Sequence, residues 1–166
     1  MRKLIFLFVL FTTFASSEIV KDIKIYGNER ITDETIIMFG KIDTNIDYND
    51  QMINGVLKNL YETDFFENVS ITLNNNILNI KIIENPIIQS INIKGIKNKK
   101  ILEVLNENLI LKQKTSFIKN RVKKDETNLK NILKSNGYYF AEINTKIKKN
   151  DNNTIDLIYD IELGDK

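Results

Sequence analysis

An α+β fold of two tandem βααββ modules, each a three-stranded sheet covered by two helices, is predicted from three observations. The segment Ile23-Lys24-Ile25-Tyr26-Gly27 returns as Ile91-Asn92-Ile93-Lys94-Gly95. Each copy is followed by two stretches with helical spacing of apolar residues, and then by two runs in which apolar and polar residues alternate. The repeat is longer than those of solenoids and suits a small domain that packs its own core. Three strands bury one face only if the helices lie across it, which makes a two-layer sandwich.

In the first module, Ile23 and Ile25 alternate with Asp22, Lys24 and Tyr26, the period of a half-buried strand. Gly27-Asn28 ends it, because both residues tolerate the positive φ of a tight turn. Thr32 is a good helix N-cap, Asp33 and Glu34 suit the positive end of the helix dipole, and Ile31 is placed to staple onto Ile36. This helix ends near Gly40. A second starts near Asn49 or Asp50 and carries Ile53, Val56, Leu57, Leu60 and Tyr61 as one apolar stripe. Gly55 within it costs about 1 kcal/mol relative to Ala unless close packing requires it. Val69, Ile71 and Leu73 then alternate with polar residues, and Leu78, Ile80 and Ile82 do the same beyond Asn74-Asn75-Asn76, which reads as an antiparallel hairpin.

The second module repeats the plan. Ile91 and Ile93 form its first strand, and Asn98 caps a helix carrying Ile101, Leu102 and Leu105. A longer helix follows with Ile118, Val122, Leu129, Ile132 and Leu133 on one face and Gly137 as its stop. Ile143, Thr145 and Ile147 alternate into a turn at residues 150–153, and Ile155, Leu157, Tyr159 and Ile161 alternate out of it. Between the modules, Glu84-Asn85-Pro86 leads straight into the next strand, and the one proline of the chain fixes φ there. These three residues are expected to act as a hinge of restricted range rather than a flexible tether.

The N-terminus is read apart from the fold. Arg2 and Lys3 precede an apolar run from Leu4 to Phe11 that continues to Phe14, and Ala15-Ser16-Ser17 supplies the small residues of a cleavage site. A membrane anchor is the rival reading, but spanning the hydrocarbon core takes about 20 apolar residues. The division is therefore 1–17 as a cleaved signal peptide, 18–86 as the first module and 87–166 as the second. Export removes cytoplasmic enzymes and nucleic-acid binders from consideration. The chain has no Cys, hence no disulfide or thiolate site, and no His, the commonest general base and metal ligand. Residues 18–87 carry 6 basic and 12 acidic side chains, while residues 88–166 carry 16 and 10.

Three motifs resemble the POTRA (polypeptide-transport-associated) repeats of BamA-type outer-membrane assembly proteins, over nearly the whole chain behind the signal segment. The stretch from Ile23 to Ile31 is similar to the family's first strand, glycine turn and start of the first helix. Thr63-Asp64-Phe65-Phe66-Glu67-Asn68-Val69 is similar to the turn between second helix and second strand, although Asp64 stands where the family has glycine. Gly137-Tyr138-Tyr139-Phe140-Ala141-Glu142-Ile143 is its counterpart, with one extra residue. Ile83-Glu84-Asn85-Pro86 before the second strand motif resembles a junction between repeats. The resemblance implies a periplasmic location at the outer membrane. Its partners would be unfolded outer-membrane proteins and accessory assembly lipoproteins, with the membrane reached through a β-barrel that this sequence does not include, as in an incomplete member. A two-partner secretion transporter, an FtsQ-like division protein and a stand-alone scaffold are the alternatives.

No catalytic, metal or cofactor site is expected. Asp33-Glu34 and Asp125-Glu126 are adjacent carboxylates for which helix-end or exposed roles suffice, and Asp151-Asn152-Asn153 lacks the glycine and closing Glu of a calcium loop. Phe65, Phe66, Tyr138, Tyr139 and Phe140 are read as core and turn packing. The lysines from Lys94 to Lys124 are read as a solvated face, with an acidic or anionic lipid partner as the alternative; nucleic acid is not expected as a partner, since no aromatic platform interleaves with them. The functional candidate is a strand edge. Asn68, Val69, Ser70, Ile71, Thr72 and Leu73 offer a neutral outer face at Ser70 and Thr72, and their main chain suits the addition of an extended peptide. A proline at Ser70 is expected to remove one free donor there. The second candidate edge, residues 142–147, is guarded by Glu142, Lys146 and Lys148.

Overall fold

The computed structural model describes residues 18–165 of the chain, so the expected signal peptide lies outside the described residues. The first module contains β2 (Asp22–Tyr26), α1 (Asp33–Gly40), α2 (Asp50–Tyr61), β4 (Phe66–Asn74) and β5 (Ile77–Glu84), with the sheet ordered β2-β5-β4. The last strand is thus central, parallel to β2 and antiparallel to β4. Its buried residues Leu78, Ile80 and Ile82 face Ile36, Val56 and Leu60 of the helices. The hairpin turn is Asn75-Asn76, both at positive φ (52° and 63°), the geometry that matches strand twist in a two-residue loop.

Thr32 is the N-cap of α1 as expected, and α2, expected to start near Asn49 or Asp50, is capped by Asn49. Thr32 accepts from the Thr35 N–H at 3.4 Å and Asn49 from the Met52 N–H at 2.9 Å. Gly55 is exposed and a Cβ there would meet nothing within 4 Å, so packing does not require it. A short antiparallel pair, β1 (Glu18–Ile19) with β3 (Asp47–Tyr48), was not legible in the sequence, because two residues show no alternation. It closes the module around buried Val20 and Tyr48.

The second module repeats this layout with β6 (Ile87–Lys94), α3 (Lys99–Glu107), α4 (Lys119–Ser135), β7 (Glu142–Asn150) and β8 (Thr154–Glu162), ordered β6-β8-β7. Strand β6 starts earlier than its alternation shows, because a register shift between Ile88 and Ser90 breaks the period. Ile118 is the N-cap of α4 rather than a member of its stripe, and it makes no side-chain cap bond. Gly137 follows the helix at φ 89°, as expected of a stop.

Gly27 and Gly95 show why the repeated motif ends in glycine. They sit at φ 85° and 88°, and a Cβ would lie 2.3 Å from the Ile82 carbonyl oxygen and 1.8 Å from that of Ile161. In each module the first strand therefore leaves the sheet tight against the backbone of the central strand.

Asp125 corrects an expectation. Instead of an exposed or helix-end carboxylate, it is fully buried, on the same helix as buried Leu129 and Leu133 and bonded to buried Tyr159. It accepts hydrogen bonds from the Ile110 N–H, from the Leu111 N–H at 3.2 Å and from the Tyr159 hydroxyl at 2.9 Å. One side chain of α4 thus ties the loop after α3 to the central strand. Burial first, then the neighbouring Asp125 charge, raises the Tyr159 pKa well above that of a free phenol.

Candidate strand edge and the module junction

Among the described residues β4 pairs with β5 alone, so its other side is an edge. Alternation along an antiparallel strand sends the N–H and C=O of one residue to the partner and those of the next away from it. The Val69 N–H donates to the Tyr61 hydroxyl at 3.0 Å, which fixes Val69 as outward-facing. Ile71 and Leu73 share that direction, whereas Asn68, Ser70 and Thr72 turn their main chain toward β5. The register agrees, because Asn74 and Ile77 flank the two-residue turn. Ser70 is therefore a member of the internal ladder, and a proline there would break the sheet rather than the free edge. The donors offered outward belong to Ile71 and Leu73.

The side chains fall on the faces expected. Val69 is buried, Ile71 and Leu73 pack against the core, and Ser70 and Thr72 are exposed. Strand β7 is likewise paired on one side only, with β8. Its Lys146 reaches Asp160 at 2.8 Å, so that guard charge is held across the outer face of the sheet. Ile147, expected to point into the core, is instead exposed and lines a cleft between the modules.

Glu84, Asn85 and Pro86 lie at a densely bonded junction. One Glu84 oxygen accepts from the N–H groups of Glu29, Arg30 and Ile31 at 2.8, 3.0 and 3.1 Å, and the other accepts from Arg30 Nε at 3.0 Å. Burial alone would push the Glu84 pKa up, but the three N–H groups and the Arg30 guanidinium outweigh it and hold the carboxyl below its usual 4.5. The Asn85 amide donates to the Asp64 carbonyl at 2.9 Å, and its N–H donates to that of Phe65 at 2.8 Å. From the second module, the Phe117 N–H donates to the Pro86 carbonyl at 2.7 Å, and Asn153 Nδ2 donates to the Glu84 carbonyl at 3.2 Å. Arg121 at the start of α4 pairs with Asp64 across the junction.

That pairing gives a role to one of the basic residues read as a solvated face. Two others are also engaged: Lys112 Nζ donates to the carbonyls of Asn106 and Glu107 at the end of α3, and Lys123 pairs with Glu126 at 3.3 Å. Lys97, Lys99, Lys100, Lys114, Lys119 and Lys124 are exposed. The aromatic expectation holds for Phe66, which is buried, and for half-buried Tyr138. It fails for Tyr139 and Phe140, which are 64% and 69% exposed in the turn before β7.

Fold, junction and edge together define a class, the tandem βααββ repeat with the last strand of each module at the centre of its sheet. Residues 86–164 match the POTRA family, described as surface antigen variable number repeat. Over 147 residues the chain is 26% identical to the outer membrane protein assembly factor BamA of Neorickettsia risticii, covering 88% of this chain and 20% of that protein. It is 28% identical to BamA of Neisseria meningitidis serogroup B over 148 residues, covering 87% and 18%. The chain thus spans about a fifth of the length of the curated relatives it matches. The solved POTRA1-2 of the periplasmic domain of Omp85 from Anabaena superposes with a TM-score of 0.53 at 10% identity, covering 91% of this chain and 98% of that one. The second module is a POTRA repeat, the first is built on the same plan, and the pair resembles the POTRA region of BamA-type assembly factors, as the sequence motifs indicated.

Proposed function

We propose that this chain forms the POTRA region of a BamA-type outer membrane protein assembly factor. In this reading it is exported behind a cleaved signal peptide, lies in the periplasm at the outer membrane, and receives extended segments of unfolded outer-membrane proteins. Accessory assembly lipoproteins are its second class of partner, and catalysis has no part in it. The observation that carries the binding reading is the edge of β4, paired on one side only, with the main-chain N–H groups of Ile71 and Leu73 directed outward and a neutral solvent face at Ser70 and Thr72. Main-chain bonding is indifferent to client sequence, which suits a receptor for many clients. Affinity would be low, because the client loses chain entropy as it becomes ordered.

The test is site-specific photo-crosslinking in the native protein in cells. A crosslinker at Thr72 should capture newly exported outer-membrane proteins, and one at Lys99 on α3 should not. Capture at Lys99 alone would replace the edge with an electrostatic docking face. Mass spectrometry of the same periplasmic protein should find Glu18 as its first residue, and an intact Met1 form in the inner membrane would rule out cleavage.

A further inference from the structure

Tyr61 is the last residue of α2 and is half exposed, yet its hydroxyl is committed to the free edge. It accepts from the Val69 N–H at 3.0 Å and donates to Asn68 Oδ1 at 3.3 Å. The Val69 donor, nearer the junction than those of Ile71 and Leu73, is thereby occupied by a side chain, while those two are not. Tyr61 also stands on the rim of a cleft of ≈ 540 Å³ between the modules. Phe66, Phe117 and Ile147 give the cleft apolar walls, and Lys119 and Lys149 stand at its margin. Of the two acids there, Asp64 is neutralised by Arg121, which leaves Glu67 against two lysines.

We propose that Tyr61 is a gate on the edge of β4, and that the accepting track continues past it into this cleft. The occupant is an extended polypeptide added antiparallel to β4. Such a strand meets Leu73 and Ile71 first and runs with its C-terminal end toward Phe66. To go further it must replace the Tyr61 hydroxyl at Val69. Beyond the gate, a bulky aliphatic side chain fits the apolar walls, and a neighbouring carboxylate complements Lys119 and Lys149. Tyr61 therefore sets the length of segment the edge holds, and the cleft sets a preference for an aliphatic residue followed by an acid. This inference rests on the edge reading given above.

The experiment uses the full chain, ¹⁵N-labelled, as wild type and as Tyr61→Phe. Two end-blocked peptides are titrated by NMR, one of alternating Val and Thr, the other extended at its C-terminal end by Leu-Glu. In the free protein, Tyr61→Phe should speed amide exchange at Val69. Loss of one competing hydrogen bond should tighten binding of the first peptide on the order of fivefold, with the Val69 amide joining Ile71 and Leu73 among the shifted signals. The extended peptide should add shifts at Phe66, Phe117 and Ile147, and replacing its Glu by Lys should remove them. Equal affinity in both proteins with Val69 unmoved overturns the gate while leaving the edge reading intact. Binding of the extended peptide without shifts in the cleft overturns the continued track. No shift at Ile71 or Leu73 with either peptide overturns the edge reading and this inference with it.

Discussion

Two carboxylates, Glu84 and Asp125, do in the two modules what a metal or a disulfide does in other small domains: each collects backbone N–H groups from a loop and fixes it to the sheet. A buried carboxylate is costly unless its lone pairs are filled, so the value of each depends on its complete set of donors. Asp125→Asn places an amide N–H against at least one of those donors, and we expect it to cost about 2–3 kcal/mol in urea unfolding. Tyr159→Phe removes one donor of three and should cost about 1 kcal/mol. Glu84 adds a pH dependence with a definite sign. Its folded pKa lies below 4.5, so its contribution is complete above the unfolded value and is lost as pH falls through the folded one. The stability difference between wild type and Glu84→Gln should therefore be full at pH 7 and shrink as pH falls past 4.5 and through the lower folded value. A difference constant over that range would mean that Glu84 acts through packing rather than charge.

At the scale of elements, the glycines separate into those the fold requires and one it does not. Gly27→Ala and Gly95→Ala each force a positive-φ residue against a central-strand carbonyl, and each should cost roughly 3 kcal/mol or more. Gly55→Ala, in an exposed helix interior with open space at Cβ, should stabilise by about 0.5–1 kcal/mol, read as a rise in thermal midpoint. These assignments also show what local sequence can carry. Strands, helices and caps were legible wherever a period of two or 3.6 ran for several residues, as at Ile155, Leu157, Tyr159 and Ile161. The pair β1–β3 and the early start of β6 were not, because two residues or one bulge leave no period to read. The candidate edge was legible as a β-prone run with polar outer residues. Its polarity was not, since which residue faces outward depends on the hairpin register and on the Tyr61 hydroxyl, a contact that spans eight residues. Asp125 looked like half of an exposed pair because its partners, Ile110, Leu111 and Tyr159, come from other elements.

On the scale of the whole molecule, an acidic first module is joined to a basic second one through a junction whose bonds divide between them. Asn85 is bonded within the first module and Pro86 to Phe117 of the second, so a cut between residues 85 and 86 leaves most of each set intact. Residues 18–85 and 86–166 should accordingly fold as separate units, and an unfolded circular-dichroism spectrum from both would reject that division. What then fixes the angle between them is a short list of contacts, chiefly Asn153 on Glu84 and Arg121 on Asp64. The ion pair is more than a third exposed on both sides, so its contribution to folding is small, below about 1 kcal/mol. Its place is another matter, because it joins the start of α4 to the turn before β4, which Asn85 holds beside the covalent link, and so ties one module directly to the other. Arg121→Ala should thus shift the thermal midpoint by no more than a few degrees, yet widen the spread of inter-module orientations measured by residual dipolar couplings. Raising salt should do the same to the wild type, since screening weakens both the pair and the attraction between the oppositely charged modules. If the couplings of Arg121→Ala fit the same single orientation as wild type, the covalent link at Pro86 and the Asn153 contact with Glu84 suffice to set the angle, and Asp64 and Arg121 are surface charges that happen to meet.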